Sequence, residues 1–246
     1  MPAARPLRVA DADTDAGPAA RGARRRAVAD VRRSLVLEAA RTAFHELGLE
    51  GASLREIARR AGYTPGAIYS YFASKEEVYG ALLGESLERL NAGVAAARPV
   101  VAVGRAAASP RAQREARLRA HAGAFFDFYR ENPRDLDLGF YLFHGVQPRG
   151  LTPALNEPLN ARLRDALTPV YQGLVGLGAS APEALTETTA LFAHAVGVLV
   201  LGHSGRIRMF MQEPRMLFDR YLDALLARTR TPGARTPGAQ ASGARP

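Results

Sequence analysis

Apolar residues recur at three- and four-residue intervals through the middle of this chain, and no run alternates with period two. That spacing predicts helices and no strands, because every third or fourth side chain of a helix returns to the same face. Proline and glycine set the breaks. A first helix is expected from about Asp30 to Leu47, with Leu35, Ala39, Ala43 and Leu47 on one face and Gly48 as its stop. Three short segments follow between Ser53 and Leu83. The third of these, begun by Ser74, continues as a long fourth helix to about Ala96. A fifth helix should run from Ser109-Pro110 to Asn132-Pro133 and a sixth from about Arg134 to His144. The seventh, about Pro153 to Leu177, holds Pro169, which should kink it by removing one backbone donor and crowding the preceding turn. An eighth opens at Ser180-Ala181-Pro182 and reaches about His203, and a ninth spans about Pro214 to Thr229.

The expectation is therefore an all-α protein of about nine helices. Residues 1–27, rich in Pro, Ala, Arg and Asp without periodicity, read as a flexible basic arm. Residues 28–84 hold a three-helix domain and 85–228 a larger helical one. Residues 229–246, TRTPGARTPGAQASGARP, repeat TPGA and have nothing to bury, so they read as a disordered tail.

The second helix is cut short by its punctuation, and so is the third. Ser53 is placed to cap the second, with Glu56 three residues on as a capping box. Leu54, Ile57, Ala58 and Ala61 give it one apolar stripe, while Arg55, Arg59 and Arg60 point elsewhere. Gly62 stops it, and Thr64 caps the next helix with Pro65 at its first position, where a missing N–H costs nothing. Two helices joined by the short turn Gly62-Tyr63-Thr64 form a helix-turn-helix. The second of the pair has only Ile68 and Phe72 to hold it. A helix so poor in leucine is built to be presented, and a DNA major groove accepts such a helix. Tyr69 and Tyr71 offer hydroxyls to phosphates or base edges, and the small Gly66 and Ala67 let the backbone come close.

The stretch AARTAFHELGLEGASLREIARRAGYTPGAIYSYFASKEEVYGALL, Ala39 to Leu83, resembles the DNA-binding domain of TetR-family transcriptional regulators. The later helices match that family's second domain in number and length. The resemblance implies a homodimer on a palindromic double-stranded DNA operator, usually a repressor released by a small-molecule effector. The family's base-facing positions fall on Arg55, Pro65, Gly66, Ala67, Tyr69 and Ser70, and its phosphate-facing positions on Ser53, Thr64, Tyr71 and Lys75. Pro65-Gly66-Ala67 offers no side-chain hydrogen bond, so direct readout should rest on Arg55, Tyr69 and Ser70, with operator shape contributing.

Composition changes this picture at the margins. The net charge of +9 favours a polyanionic partner. Between residues 21 and 41 seven arginines face only Asp30 and Glu38, so Arg21 to Arg26 could meet phosphates or a neighbouring minor groove, or could simply be solvated. Cysteine is absent, which excludes a disulfide framework, a thiolate metal site and a cysteine nucleophile. The histidines show no i, i+3 or i, i+4 pair, and no GxSxG occurs, so no metal, cofactor or catalytic residue is expected and an enzyme is disfavoured. The start lacks a signal-peptide core, and the longest apolar stretch, Ala190 to Gly202, is shorter than the roughly 18 residues a span needs. A soluble, cytoplasmic protein without a membrane partner is expected.

In the second domain the aromatic-rich fifth and sixth helices suggest a ligand pocket, with His121, Phe125, Tyr141, His144, Gln172 and His194 as candidate lining. The eighth helix is apolar nearly all round and must be covered on nearly all sides. Ala190, Ala193, Gly197 and Leu201, with Leu217, Tyr221 and Leu225 of the ninth, are the candidate dimer interface that the resemblance implies. A DNA-binding activator, or an architectural DNA binder without small-molecule control, fits the same residues.

Overall fold

The structure is a computed structural model that describes residues 18–99, 109–140 and 151–229. Among the described residues it is all helical: α1 (Pro18–Gly51), α2 (Leu54–Arg60), α3 (Pro65–Ile68), α4 (Lys75–Ala96), α5 (Pro110–Glu131), α6 (Pro133–Phe140), α7 (Pro153–Gly176), α8 (Ala181–His203) and α9 (Pro214–Arg228), with a 3-10 turn at Arg208–Phe210. The chain divides into two compact units, residues 1–79 and 80–246. Residues 1–17 of the expected arm and nearly all of the expected tail, together with Tyr141 and His144, lie outside the described residues.

In the first unit, the buried stripe of α1 is Val36, Leu37, Ala40, Ala43 and Phe44, which keeps only Ala43 of the expected Leu35, Ala39, Ala43 and Leu47. A strict step of four advances ~400° around the axis, so it drifts by ~40° each time and leaves a single face within three steps. Leu35 and Leu47 accordingly point outward, 52% and 43% exposed. Phe44 meets Tyr79 edge-on with ring centroids 5.6 Å apart. The helix also starts well upstream of Asp30, at Pro18, so part of the expected arm is helical. An Ala- and Arg-rich run with proline at its first turn has the propensity for this, and no further proline interrupts it. Gly48 does break the helix, at φ 69°, a conformation that only glycine adopts cheaply.

In the second unit α5 packs against α7, α6 and α8, and α8 packs between α7 and α9. Phe126 of α5 stacks on Phe218 of α9 at 4.3 Å, both rings sealed from solvent. Arg111, near the start of α5, ties three helix ends together: it pairs with Glu115 at 3.1 Å, donates to the Leu177 carbonyl at 3.3 Å and donates to the Thr229 carbonyl at 2.8 Å. Arg215 bridges Asp127 and Asp219. Helix α7 continues as one helix through both Pro158 and Pro169. A full capping box closes the start of α8, where Ser180 Oγ accepts from the Glu183 N–H and Glu183 returns to the Ser180 N–H.

Helix α8 corrects one expectation: at 23 residues and a mean hydropathy of 1.6 over its most apolar window, it is long and apolar enough, by length and composition, to cross a membrane. The apolar run extends on both sides of His194 once Thr and Ala are counted with it. Ala184, Thr188, Leu191, Ala195, Val198 and Leu199 are buried against the neighbouring helices, and in all 33% of that apolar window is buried.

Candidate nucleic-acid interface

The helix-turn-helix is built as its residues require. Ser53 caps α2, its Oγ accepting from the Glu56 N–H at 3.2 Å. Leu54, Ile57 and Ala58 are buried. The expected capping box is only half formed, because Glu56 does not return to the cap. Its carboxylate instead takes Arg59 at 2.9 and 2.7 Å and Arg60 at 2.7 Å. Two guanidinium donors outbid one neutral backbone N–H, since charge-assisted hydrogen bonds are the stronger kind. Hydrogen bonds from Arg59 and then Arg60 lower the Glu56 pKa to about 2. Arg60 reaches on to Glu46 at 2.7 Å and so pins α2 to α1. Of the three α2 arginines this leaves Arg55 exposed with no ion pair among the described residues.

The turn depends on Gly62, at φ 73°. Thr64 caps α3, accepting from the Ala67 N–H at 3.3 Å, and Pro65 occupies the first turn. Helix α3 proper is only Pro65–Ile68; beyond it the chain tightens, with the Tyr71 N–H donating to the Ile68 carbonyl at 2.9 Å. The expected rod to Phe72 is thus a single α turn with a 3-10-like end. Its anchors are as expected: Ile68 is fully buried and Phe72 is 4% exposed. Arg33 of α1 lies over the Phe72 ring at 5.1 Å and clamps that anchor.

Around those anchors, Thr64, Pro65, Gly66, Tyr69 and Ser70 are exposed and Ala67 is half-buried. Tyr69 is 57% exposed, with its ring outside the core. Two candidates have local duties. Ser70 donates its hydroxyl to the Ala67 carbonyl at 2.7 Å, leaving the oxygen to accept. Lys75 donates to the Leu49 carbonyl at 2.9 Å and so ties α4 to the end of α1. Tyr71, half-buried, faces the arginines of α1 across a cleft. The sequence pattern named the arginines of that cleft but not the face they share, because their helix was expected to begin later.

The second-unit candidates divide. Phe125 is buried, meeting Tyr129 at 5.4 Å and Phe192 at 6.1 Å; Phe140 completes the aromatic group at 5.4 Å from Tyr129. The Tyr129 hydroxyl is buried with no hydrogen-bond partner among the described residues, and neither His121 Nδ1 nor Ser86 Oγ has one. Burial, and then Asp135, push the Tyr129 phenol up; burial, with Arg117 and Arg98, pushes His121 down. Tyr129 is the residue the sequence reading passed over, since only its burial distinguishes it from its aromatic neighbours. Gln172 lies exposed on α7. His194 stacks on Tyr221 at 4.2 Å, so a pocket candidate and an interface candidate pack on each other within one protomer. Ala193, Gly197 and Leu201 are exposed on α8, and Ala190 and Leu217 are half-buried. Leu225 corrects the interface set: it is fully buried in the protomer's own core, on the same side of α9 as Phe218 and Leu222.

Comparison with known proteins agrees with this geometry. The family model for bacterial regulatory proteins of the tetR family matches residues 36–82, and the model for the tetracyclin repressor-like C-terminal domain matches residues 118–225. The chain belongs to the TetR family of regulatory proteins. The HTH-type transcriptional activator FasR of Mycolicibacterium smegmatis is 34% identical over 120 residues, 49% of this chain and 50% of FasR. The HTH-type transcriptional repressor AcnR of Corynebacterium diphtheriae is 40% identical over 60 residues, 24% of this chain and 32% of AcnR. The chain thus spans half or less of the length of these curated relatives, which are transcriptional regulators rather than enzymes. A solved tetR-family regulatory protein from Rhodococcus RHA1 shares the fold, with a TM-score of 0.56 at 19% identity over 80% of this chain and 95% of that one.

Proposed function

We propose that this protein is a sequence-specific DNA-binding transcriptional regulator that pairs with a second copy on an inverted-repeat operator and is released by a small molecule. The observation that carries the DNA reading is the presentation of α3: Ile68 and Phe72 anchor it while Tyr69, Ser70 and the helix start stay open to solvent. Arg55 on α2 adds a guanidinium with no ion pair among the described residues, which can take guanine bidentately in the major groove. Tyr69 reads a thymine methyl with its ring or a base edge with its hydroxyl.

Pairing is supported by α8. Ala193, Gly197 and Leu201 form an uncovered face, and a Cβ added at Gly197 would meet nothing within 4 Å, so another backbone can approach there. Effector control is supported by the buried aromatic group of the second unit, where the unpartnered Tyr129 hydroxyl would bind a polar atom of an otherwise apolar ligand. Repression is the commoner mode that the family resemblance implies; activation fits the same residues, and the similar FasR and AcnR carry the two opposite names.

Gly66 provides the test. A side chain there would meet nothing within 4 Å, so the fold accepts one, yet Gly66 lies on the proposed DNA face. Gly66→Glu should abolish retention of duplex DNA at low ionic strength while leaving the thermal midpoint unchanged. Undiminished binding by the folded variant would remove α3 from the interface.

A further inference from the structure

The stripe of α1 that packs inward passes through Val36, Ala40 and Ala43. Followed toward the N-terminus at helical spacing, it passes through Arg32, Arg25 and Arg21, with Val28 and Arg24 to one side of it. The face that is apolar and buried beyond Val36 therefore becomes an arginine face upstream. These arginines line a cleft of about 410 Å³, with Tyr71 across from them, and none of the described lining residues is an acid. Like charges three and four apart on a helix repel, so this arrangement weakens the helix on its own. An anion with several charges entering the cleft would relieve that repulsion.

We infer that this face is a phosphate-binding groove that grips the sugar-phosphate backbone flanking the site read by α2 and α3. The inference rests on the DNA reading given above and extends its footprint. Tyr71 ties the two together, since it ends the turn that follows α3 and also lines the cleft. The helical state of the segment decides between the two ways basic arms meet DNA. A helix with side chains is ~10–12 Å across, whereas the minor groove is ~6 Å wide, so this element tracks phosphates and does not enter that groove. From Arg21 to Arg32 the face extends ~16 Å at ~1.5 Å per residue, long enough to follow several phosphates. Contacts of this kind carry no sequence information and steepen the salt dependence.

The experiment uses the full chain and two duplexes. Both contain a site selected from random DNA; one adds flanks of roughly one helical turn on each side. Affinity is measured across a salt series for wild type and for Arg21→Ala/Arg24→Ala/Arg25→Ala. For wild type the log–log salt slope should be steeper on the flanked duplex, by about 0.9 for each phosphate an arginine engages. The triple variant should lose that difference, with its base preference intact. The triple lysine variant should keep it, because the charge remains. All three positions are exposed and alanine favours helix, so circular dichroism should find the variant folded. A wild-type slope that ignores the flanks overturns the inference while leaving the DNA reading in place. So does inorganic tripolyphosphate competing equally on both duplexes, which would mark a site for a free anion. Wild type that binds no duplex at all ends both.

Discussion

Arg55, Arg59 and Arg60 stand on one short helix, yet only one of them is available to read a base. Glu56 sits between them and binds the other two, and Arg60 is held further by Glu46. Arg55→Ala should therefore relax the preference at one base pair per half-site by about 1–3 kcal/mol, measured on a panel of single-position operator variants. Equal weakening on every variant would make Arg55 a phosphate contact. Glu56 has a pH signature of its own. Its pKa is lowered from 4.5 to about 2, so between those values the unfolded chain binds more protons than the folded one. Stability gained from this carboxylate is complete above pH 4.5 and is lost as pH falls toward 2. Denaturant midpoints of Glu56→Gln should fall less steeply across that window than those of wild type; parallel curves would mean the cluster adds nothing. Gly62→Ala places a Cβ at φ 73° and should cost about 1–2 kcal/mol in thermal or chemical unfolding.

Element boundaries were legible because caps and breakers are local chemistry. Ser109-Pro110, Asn132-Pro133, Thr152-Pro153 and Ser180 through Pro182 each open or close a helix where the sequence places them. The faces of the helices were less legible. On α1 the expected stripe, counted in steps of four, drifts off the face set by Phe44 and its contact with Tyr79. The upstream reach of α1 was hidden because its arginine face lacks the apolar periodicity by which helices are recognised. Of the DNA-facing candidates, Tyr69 could be placed outside from the shortage of leucine around it. The local duties of Ser70 and Lys75 could not, since both depend on where neighbouring carbonyls lie. Leu225 was not legible as a core residue, since the family resemblance that implies the interface does not show which side of α9 packs with Phe218. In the second unit those rings dominate: Phe126→Ala removes one half of the sealed stack with Phe218 and should destabilise by about 3–5 kcal/mol. A smaller loss, with unchanged unfolding cooperativity, would show that α5 and α9 close over the gap.

At the scale of the whole molecule, the proposed function calls for two copies, because one α3 presents few side chains with which to specify an operator. The open face of α8 is where the second copy is proposed to sit, so the mass in solution should be twice 26.4 kDa. Gly197→Arg should return it to the monomer by filling the approach that Gly197 leaves open. A dimer that persists in that variant would place the interface elsewhere. Two-fold pairing fixes a distance on the DNA, since the two recognition elements must enter successive major-groove turns about 34–36 Å apart. The most direct measurement is selection of duplexes from a random pool by the whole 246-residue chain at moderate salt, followed by sequencing. Enrichment of an inverted repeat with half-sites about one turn apart, lost in Gly66→Glu, is the predicted result. A pool that stays random, or one enriched in a single unpaired site that Gly66→Glu binds equally well, would contradict it.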